Sequence, residues 1–252
     1  MKLILLGRGR MGREVSRIAG ERGHEVVLEV DRNDWGGVPT SSDGCAELPG
    51  ADAIIDFTGP EEVLGNVGRT AGCGIPIVVG TTGWQGHLRE VESRIRETQG
   101  ALVYGSNFSL GMNLFHRLVV HAAALFDRFE EFDPYMIEHH HQEKVDAPSG
   151  TAITLAEVLV DRINRKTRTV YELPAGSLDS HDLHVTSVRA GAEFGRHLVG
   201  FDGPFDAVTL EHRSRGRTAF ASGALLAAQL IQGKKGVHRF ESLVDEMVDI
   251  DG

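Results

Sequence analysis

The chain has 252 residues and a mass of 27.4 kDa, enough for one large domain or two small ones whose cores need no staples. Its 41% hydrophobic and 25% charged residues are those of a globular protein and exclude a collagen-like or disordered chain. The excess of 36 acidic over 26 basic residues argues against a nucleic-acid binder, and two cysteines, Cys45 and Cys73, exclude a disulfide scaffold. No apolar run approaches the roughly 20 residues of a membrane span, and the run from Met1 is too short for a secretory signal. A reducing, cytoplasmic setting is expected.

In chain order, the first half alternates short apolar runs with amphipathic segments. Lys2–Leu6, Val26–Val30, Ala53–Phe57, Ile77–Val79 and Leu102–Tyr104 read as buried parallel strands. Met11–Glu21, Glu61–Ala71 and Gln85–Thr98 read as helices between them, and Asp34–Gly50 as a surface connection. This alternation predicts an α/β, doubly wound parallel sheet. After Ser106 the pattern changes. Asn113–Phe126 and Thr151–Ile163 are helical, with Met136–His141 a strand before Pro148-Ser149-Gly150. His184–Arg189, His197–Phe201 and Ala207–His212 then follow one another as strands without intervening helices. A second α+β domain with a mixed or antiparallel sheet is expected over 112–220. Ala219–Ile231 returns to helix, and 221–252 is expected to pack back on a first domain of 1–111.

Gly7-Arg8-Gly9-Arg10-Met11-Gly12 fits G-x-G-x-x-G, after a predicted strand and opening a predicted helix. Glycine allows the tight bend and close backbone approach to a pyrophosphate, and the helix N-terminus supplies N–H donors and a positive dipole end. Asp31 ends the second strand, 24 residues after Gly7, near the offset of about 20 at which an acid binds the ribose of a dinucleotide. A carboxylate there favours NADH, whereas the adjacent Arg32 suits the 2′-phosphate of NADPH; both remain open. This is the signature of a Rossmann-like domain.

The segment from Glu138 to Ala152 reads EHHHQEKVDAPSGTA. Three consecutive histidines raise the thought of a metal, but no fourth ligand stands at a suitable spacing, and none is expected. In a strand His139 and His141 share one face and His140 takes the other. A histidine titrates near neutral pH and can act as a general acid, Lys144 supplies a cation, and Ser149-Gly150-Thr151 opening a helix suits a carboxylate. Beside a dinucleotide site, these groups point to reduction of a small anionic substrate.

His140-His141-x-x-Lys144-x-Asp146-x-Pro148-Ser149-Gly150-Thr151-Ala152 resembles the signature of the 4-hydroxy-tetrahydrodipicolinate (dihydrodipicolinate) reductase family of lysine and diaminopimelate biosynthesis. Gly9–Gly12, Asp56-Phe57-Thr58, Gly80-Thr81-Thr82-Gly83, Ser106–Ser109 and Val188-Arg189-Ala190-Gly191 extend the resemblance over nearly the whole chain. It implies hydride transfer from NADH or NADPH to C4 of a dicarboxylate ring, with His140 as general acid and Lys144 assisting. His141, Ser149, Gly150 and Thr151 would hold a substrate carboxylate. Gly7, Arg8, Gly9, Arg10, Met11 and Gly12 would hold the pyrophosphate, with Asp31 and Arg32 at the ribose. Phe57, Thr58, Gly80, Thr82, Ser106, Asn107 and Phe108 would line the nicotinamide half, and Arg217 and Phe220 would approach the cofactor. A homotetramer joined through the second-domain sheets is implied, with no membrane or nucleic-acid partner. The family's loop usually has one residue more between its first two glycines, and often arginine where Gly59 stands. A related dehydrogenase of another small amino or imino acid, or a non-catalytic nucleotide sensor, is the alternative.

Overall fold

The structure, a computed structural model, describes residues 1–31, 35, 38 and 47–248. Arg32, Cys45 and most of the Asp34–Gly50 connection lie outside them. The chain divides into two compact units, 1–110 with 217–252, and 111–216.

The first unit is built on a six-stranded sheet. Its strands are β1 (Lys2–Leu6), β2 (Glu25–Val30), β3 (Ala53–Asp56), β4 (Ile77–Val79), β5 (Ala101–Tyr104) and β11 (Gly236–Arg239), ordered β11-β5-β4-β3-β1-β2. Every pairing is parallel. Leu3–Leu6, Ile54, Ile55, Val78, Val79, Leu102 and Val103 are buried, which is why these segments read as unbroken apolar runs. The crossovers are α1 (Arg10–Glu21), α2 (Pro60–Thr70) and α3 (Leu88–Glu97). Pro60 opens α2 with Glu61 and Glu62 in its first turn, where a missing N–H costs nothing and acids meet the positive dipole end. From this unit's second segment, α6 (Thr218–Leu230) packs along α1, and α7 (Phe240–Met247) follows β11. The sequence reading missed β11 and α7. Gly-Val-His-Arg is short and only partly buried, so it shows neither an apolar run nor alternation.

The second unit carries α4 (Leu110–Phe126), β6 (Asp133–His140), α5 (Gly150–Arg162), β7 (Arg168–Val170), β8 (Asp182–Arg189), β9 (Arg196–Asp202) and β10 (Ala207–Arg213). Its five strands run β10-β9-β6-β8-β7. The pairs β10/β9 and β9/β6 are antiparallel, and β6/β8 and β8/β7 parallel, so the sheet is mixed. Met112, Phe115 and Val119 of α4 and Leu155, Ala156 and Leu159 of α5 form one core with Met136, Val185, Val199 and Phe201 of the sheet. Along β6 burial alternates strictly, with Pro134, Met136, Glu138 and His140 inward. Two polar groups thus occupy core positions at the strand's carboxyl end.

Candidate active site

In the first unit the described residues expected at a dinucleotide, Arg217 and Phe220 of α6 apart, follow carboxyl ends of parallel strands. Gly7–Gly12 follow β1, Asp31 β2, Phe57 and Thr58 β3, Gly80 and Thr82 β4, and Ser106–Phe108 β5. The order reverses at β1, which has β2 on one side and β3 on the other, the switch point where open α/β sheets bind ligands. Gly7 has φ +100°, and a Cβ there would stand 2.6 Å from the Phe57 carbonyl oxygen; a Cβ on Gly12 would stand 1.8 Å from the Gly7 oxygen. Gly9 caps α1 and faces open space. The turn is therefore glycine for conformation at one end, for close helix approach at the other, and leaves a cradle over the helix N-terminus. The Arg8 N–H donates to Asp31 Oδ1 at 3.2 Å, and the Arg8 guanidinium to the Glu29 carbonyl at 2.9 Å, so the acid sits against the glycine turn.

Behind this rim, buried Asp56 accepts from Thr58 N at 2.8 Å, Thr58 Oγ1 at 2.6 Å and Asn66 Nδ2 at 2.9 Å, fixing the Phe57–Thr58 turn. Burial pushes its carboxyl upward, against the pull of those donors. A Cβ on Gly80 would strike the Phe57 ring at 2.1 Å, so glycine there gives the ring its place. Phe108 differs from the expectation. Its ring is buried against Phe240, centroids 4.8 Å apart, because apolar surface at this strand end finds a core partner; exposed Ser106 is what this turn offers outward. Trp84 is likewise a core residue, edge-on to Tyr104 with its N–H on Thr81 O. Arg217 caps α6, close enough to α1 to act on Glu14, and Phe220 lies in the first turn of α6.

In the second unit the His140 ring is buried at the end of β6, its Nδ1 hydrogen-bonded to Glu138 Oε2. Glu138 is fully buried and also accepts from Arg189 Nη2 at 2.6 Å and from Ser149 N at 3.3 Å. Burial would raise its carboxyl, but the hydrogen bonds from His140, Arg189 and Ser187 outweigh that and bring its pKa to about 2. His197 stands with its ring 5.3 Å from that of His140 and Nε2 3.4 Å from Ser149 Oγ. Burial, then the charge of His140, lowers its pKa to about 4. Past the strand, His141 N donates to Glu193 O at 2.7 Å, and Lys144 reaches Asp146 at 2.8 Å. That lysine hydrogen bond is the main cause holding Asp146 below the usual carboxylate range. Arg189 also donates to Asp146 O at 2.5 Å, tying this loop to Glu138.

Ser149 caps α5 and accepts from Ala152 N at 3.2 Å. It is buried, so the outward donors of this turn are the Gly150 and Thr151 N–H groups, orphans of a helix start. The structure thus brings His140, Lys144 and the α5 turn into one unit. It adds Glu138, which in the sequence reads equally as a group orienting a histidine or as a strand-edge charge, and Arg189 and His197, to which the sequence reading gave no role. Glu138 was visible in principle, two residues from His140 and so on the same strand face; His197 depends on strand register, which no local signal reports.

Residues 1–108 match the N-terminal part of the dihydrodipicolinate reductase family, and residues 111–244 its C-terminal part. The chain belongs to the dihydrodipicolinate reductase family. Curated 4-hydroxy-tetrahydrodipicolinate reductases agree: that of Chromobacterium violaceum is 35% identical over 92% of this chain and 94% of its own, and that of Christiangramia forsetii 30% identical over 98% and 99%. A dipicolinate-bound dihydrodipicolinate reductase from Paenisporosarcina sp. TG-14 shares the fold, with a TM-score of 0.74 and 24% identity over 96% of this chain and 98% of that one. The chain is an enzyme of this reductase family, using a nicotinamide dinucleotide. Among the described residues no helix is long and apolar enough to cross a membrane.

Proposed function

We propose that this chain reduces 4-hydroxy-tetrahydrodipicolinate to tetrahydrodipicolinate with hydride from NADH or NADPH, within lysine and diaminopimelate biosynthesis in the cytoplasm. The observation that carries the reading is the buried Glu138–His140 pair beside Lys144 and the N-terminus of α5, an acid next to a carboxylate cradle. The first unit fits the dinucleotide: its cradle over Gly9 is open and Asp31 lies against the turn. Gly7–Gly12 would hold the pyrophosphate through backbone N–H groups, Asp31 the ribose, and Phe57, Thr58, Gly80, Thr82, Ser106 and Asn107 the nicotinamide half, with Arg217 and Phe220 on the α6 side. When bound, the reduced nicotinamide supplies the hydride at C4 of the ring.

The chain's own part is charge and proton. Lys144 and the Gly150 and Thr151 N–H groups would neutralise a substrate carboxylate, with His141 and Ser149 completing the set, where low dielectric strengthens each contact. His140 would give its proton to the carbon beside C4. The functional assembly would be a homotetramer, with a small dicarboxylate as the other partner. A coupled assay tests this, generating the unstable ring in situ from pyruvate and aspartate semialdehyde and following NADH and NADPH oxidation separately. Substrate-dependent oxidation is expected, falling about 100-fold or more in His140→Gln and in Lys144→Ala with dinucleotide affinity retained. No oxidation by a chain that binds dinucleotide would move the function to another imino acid or to a sensor.

A further inference from the structure

The carboxyl ends of β6, β8 and β10 and the amino end of β9 put a row of polar side chains on the face that α4 and α5 cover. Strand register pairs Glu138 with Ser187 on one side and His197 on the other, His197 with His212, and His140 with Arg189. One residue pair deeper, the matching row is Met136, Val185, Val199 and Leu210. A polar row in a core position is costly unless every member is satisfied, so its hydrogen bonds report what it is for.

Both Glu138 oxygens are taken. Oε2 meets His140 Nδ1, and Oε1 accepts from Arg189 Nη2 at 2.6 Å and the Ser149 N–H at 3.3 Å. The guanidinium and the N–H on Oε1 suit an ionised carboxylate, in keeping with its low pKa of about 2. An ionised carboxylate accepts only, so the proton between it and the ring belongs to Nδ1. That leaves Nε2 to gain and lose the other proton. Beside Nε2 stands Gly195, where a Cβ would lie 3.1 Å from that nitrogen. Glycine keeps the approach to Nε2 clear. His197 stays uncharged at neutral pH, so it adds no second cation next to His140.

We propose that Glu138 is the positioning residue for His140: its carboxylate, fastened by Arg189, holds the ring by Nδ1–H and makes Nε2 the nitrogen that delivers the proton. The inference rests on the reading of His140 as the acid. In the step, the Nε2–H bond breaks, its electron pair stays on Nε2, and the substrate carbon takes the proton. The ring ends neutral with Nδ1–H still on Glu138, and a solvent proton restores Nε2–H. The titratable and charged groups facing this ring are Glu138 on its own strand, Arg189 from β8, His197 from β9 and Lys144 from the following loop. Among them Glu138 is the acid, and it is in contact with the ring.

Removing that charge while keeping the shape, with Glu138→Gln, is expected to lower kcat about tenfold or more and to move the alkaline limb of its pH profile down by about one unit. Dinucleotide affinity, read by fluorescence, should be unchanged, and Glu138→Asp should return the limb toward wild type. A wild-type pH limb in Glu138→Gln would overturn the proposal. Ring-nitrogen NMR of the wild-type enzyme labelled in histidine decides it without relying on a variant that folds poorly. The His140 signal, identified by its loss in His140→Gln, should report the Nδ1–H tautomer when neutral; the Nε2–H tautomer overturns the assignment. Full turnover in His140→Gln would instead remove the acid itself, so the two failures are distinguishable.

Discussion

At Gly12 one methyl group separates the closely packed glycine turn from a blocked one. The position a Cβ would take lies 1.8 Å from the Gly7 carbonyl oxygen, and backbone cannot swing aside as a flexible side chain can. Relief requires α1 to move away from β1, which carries the N–H groups of the helix start out of register with the turn. Gly12→Ala is therefore expected to cost about 1–3 kcal/mol through overpacking and to weaken dinucleotide binding at least about tenfold. A thermal melt and a fluorescence titration check both. Unchanged values would mean that the helix tolerates the shift and that close approach is not what glycine supplies there. Gly9 makes the contrast, since nothing lies within 4 Å of its Cβ position and only a ligand would feel a side chain.

At the scale of elements, the sequence was most informative where one signal sufficed. β1 and β4 are bounded as their apolar runs suggest, since strands buried on both faces need no partner to be recognised. The glycine turn was legible because its motif, strand and helix stand in order. β7 and β11 were not: each is short and mostly half-buried, and each is a strand only because a neighbour offers hydrogen bonds. The site divides in the same way. A histidine and Lys144 as candidates were legible from residue type and spacing, and the choice of His140 came from the family resemblance, while the contacts of Glu138 with Arg189 and of His140 with His197 arise from register between strands roughly 50 residues apart. That row has a consequence for stability. An unfolded chain protonates His197 near its ordinary 6.5, but the folded chain only near about 4. Between those values the unfolded state binds more protons, so stability is full above pH 6.5 and falls as pH drops toward 4, by roughly 3 kcal/mol at the limit. Glu138, lowered from 4.5 to about 2, continues the loss in the same direction below pH 4.5. Urea midpoints at pH 7.5, 5.5 and 4.5 should fall steeply for wild type and less for His197→Gln. Parallel falls would show that the neutral buried ring contributes nothing to the slope.

For the whole molecule, the second unit's sheet matters for its other face, the one opposite α4 and α5. Register places Tyr135, Ile137, Val188 and Leu198 there; Val188 is 38% exposed and the other three are half-buried. The Tyr135 ring lies across Gly200, where a Cβ would meet it at 2.3 Å, so the face is smooth at its centre. Five strands about 4.8 Å apart and about seven residues long present roughly 550 Å². Packed on a copy of itself, such a face buries roughly 1,100 Å², at the lower edge of a stable interface. An association of that size depends on each apolar residue in it. If this face joins chains in the proposed tetramer, light scattering should give a mass of about 110 kDa, four chains of 27.4 kDa. A carboxylate placed by Ile137→Glu, unpaired and desolvated in the centre, should halve that mass or reduce it further while leaving the fold intact by circular dichroism. A wild-type mass of 27.4 kDa would mean that water satisfies the face. A tetramer indifferent to Ile137→Glu would place the contact elsewhere, and the smooth centre of the sheet would then serve only the packing of Tyr135 on its own chain.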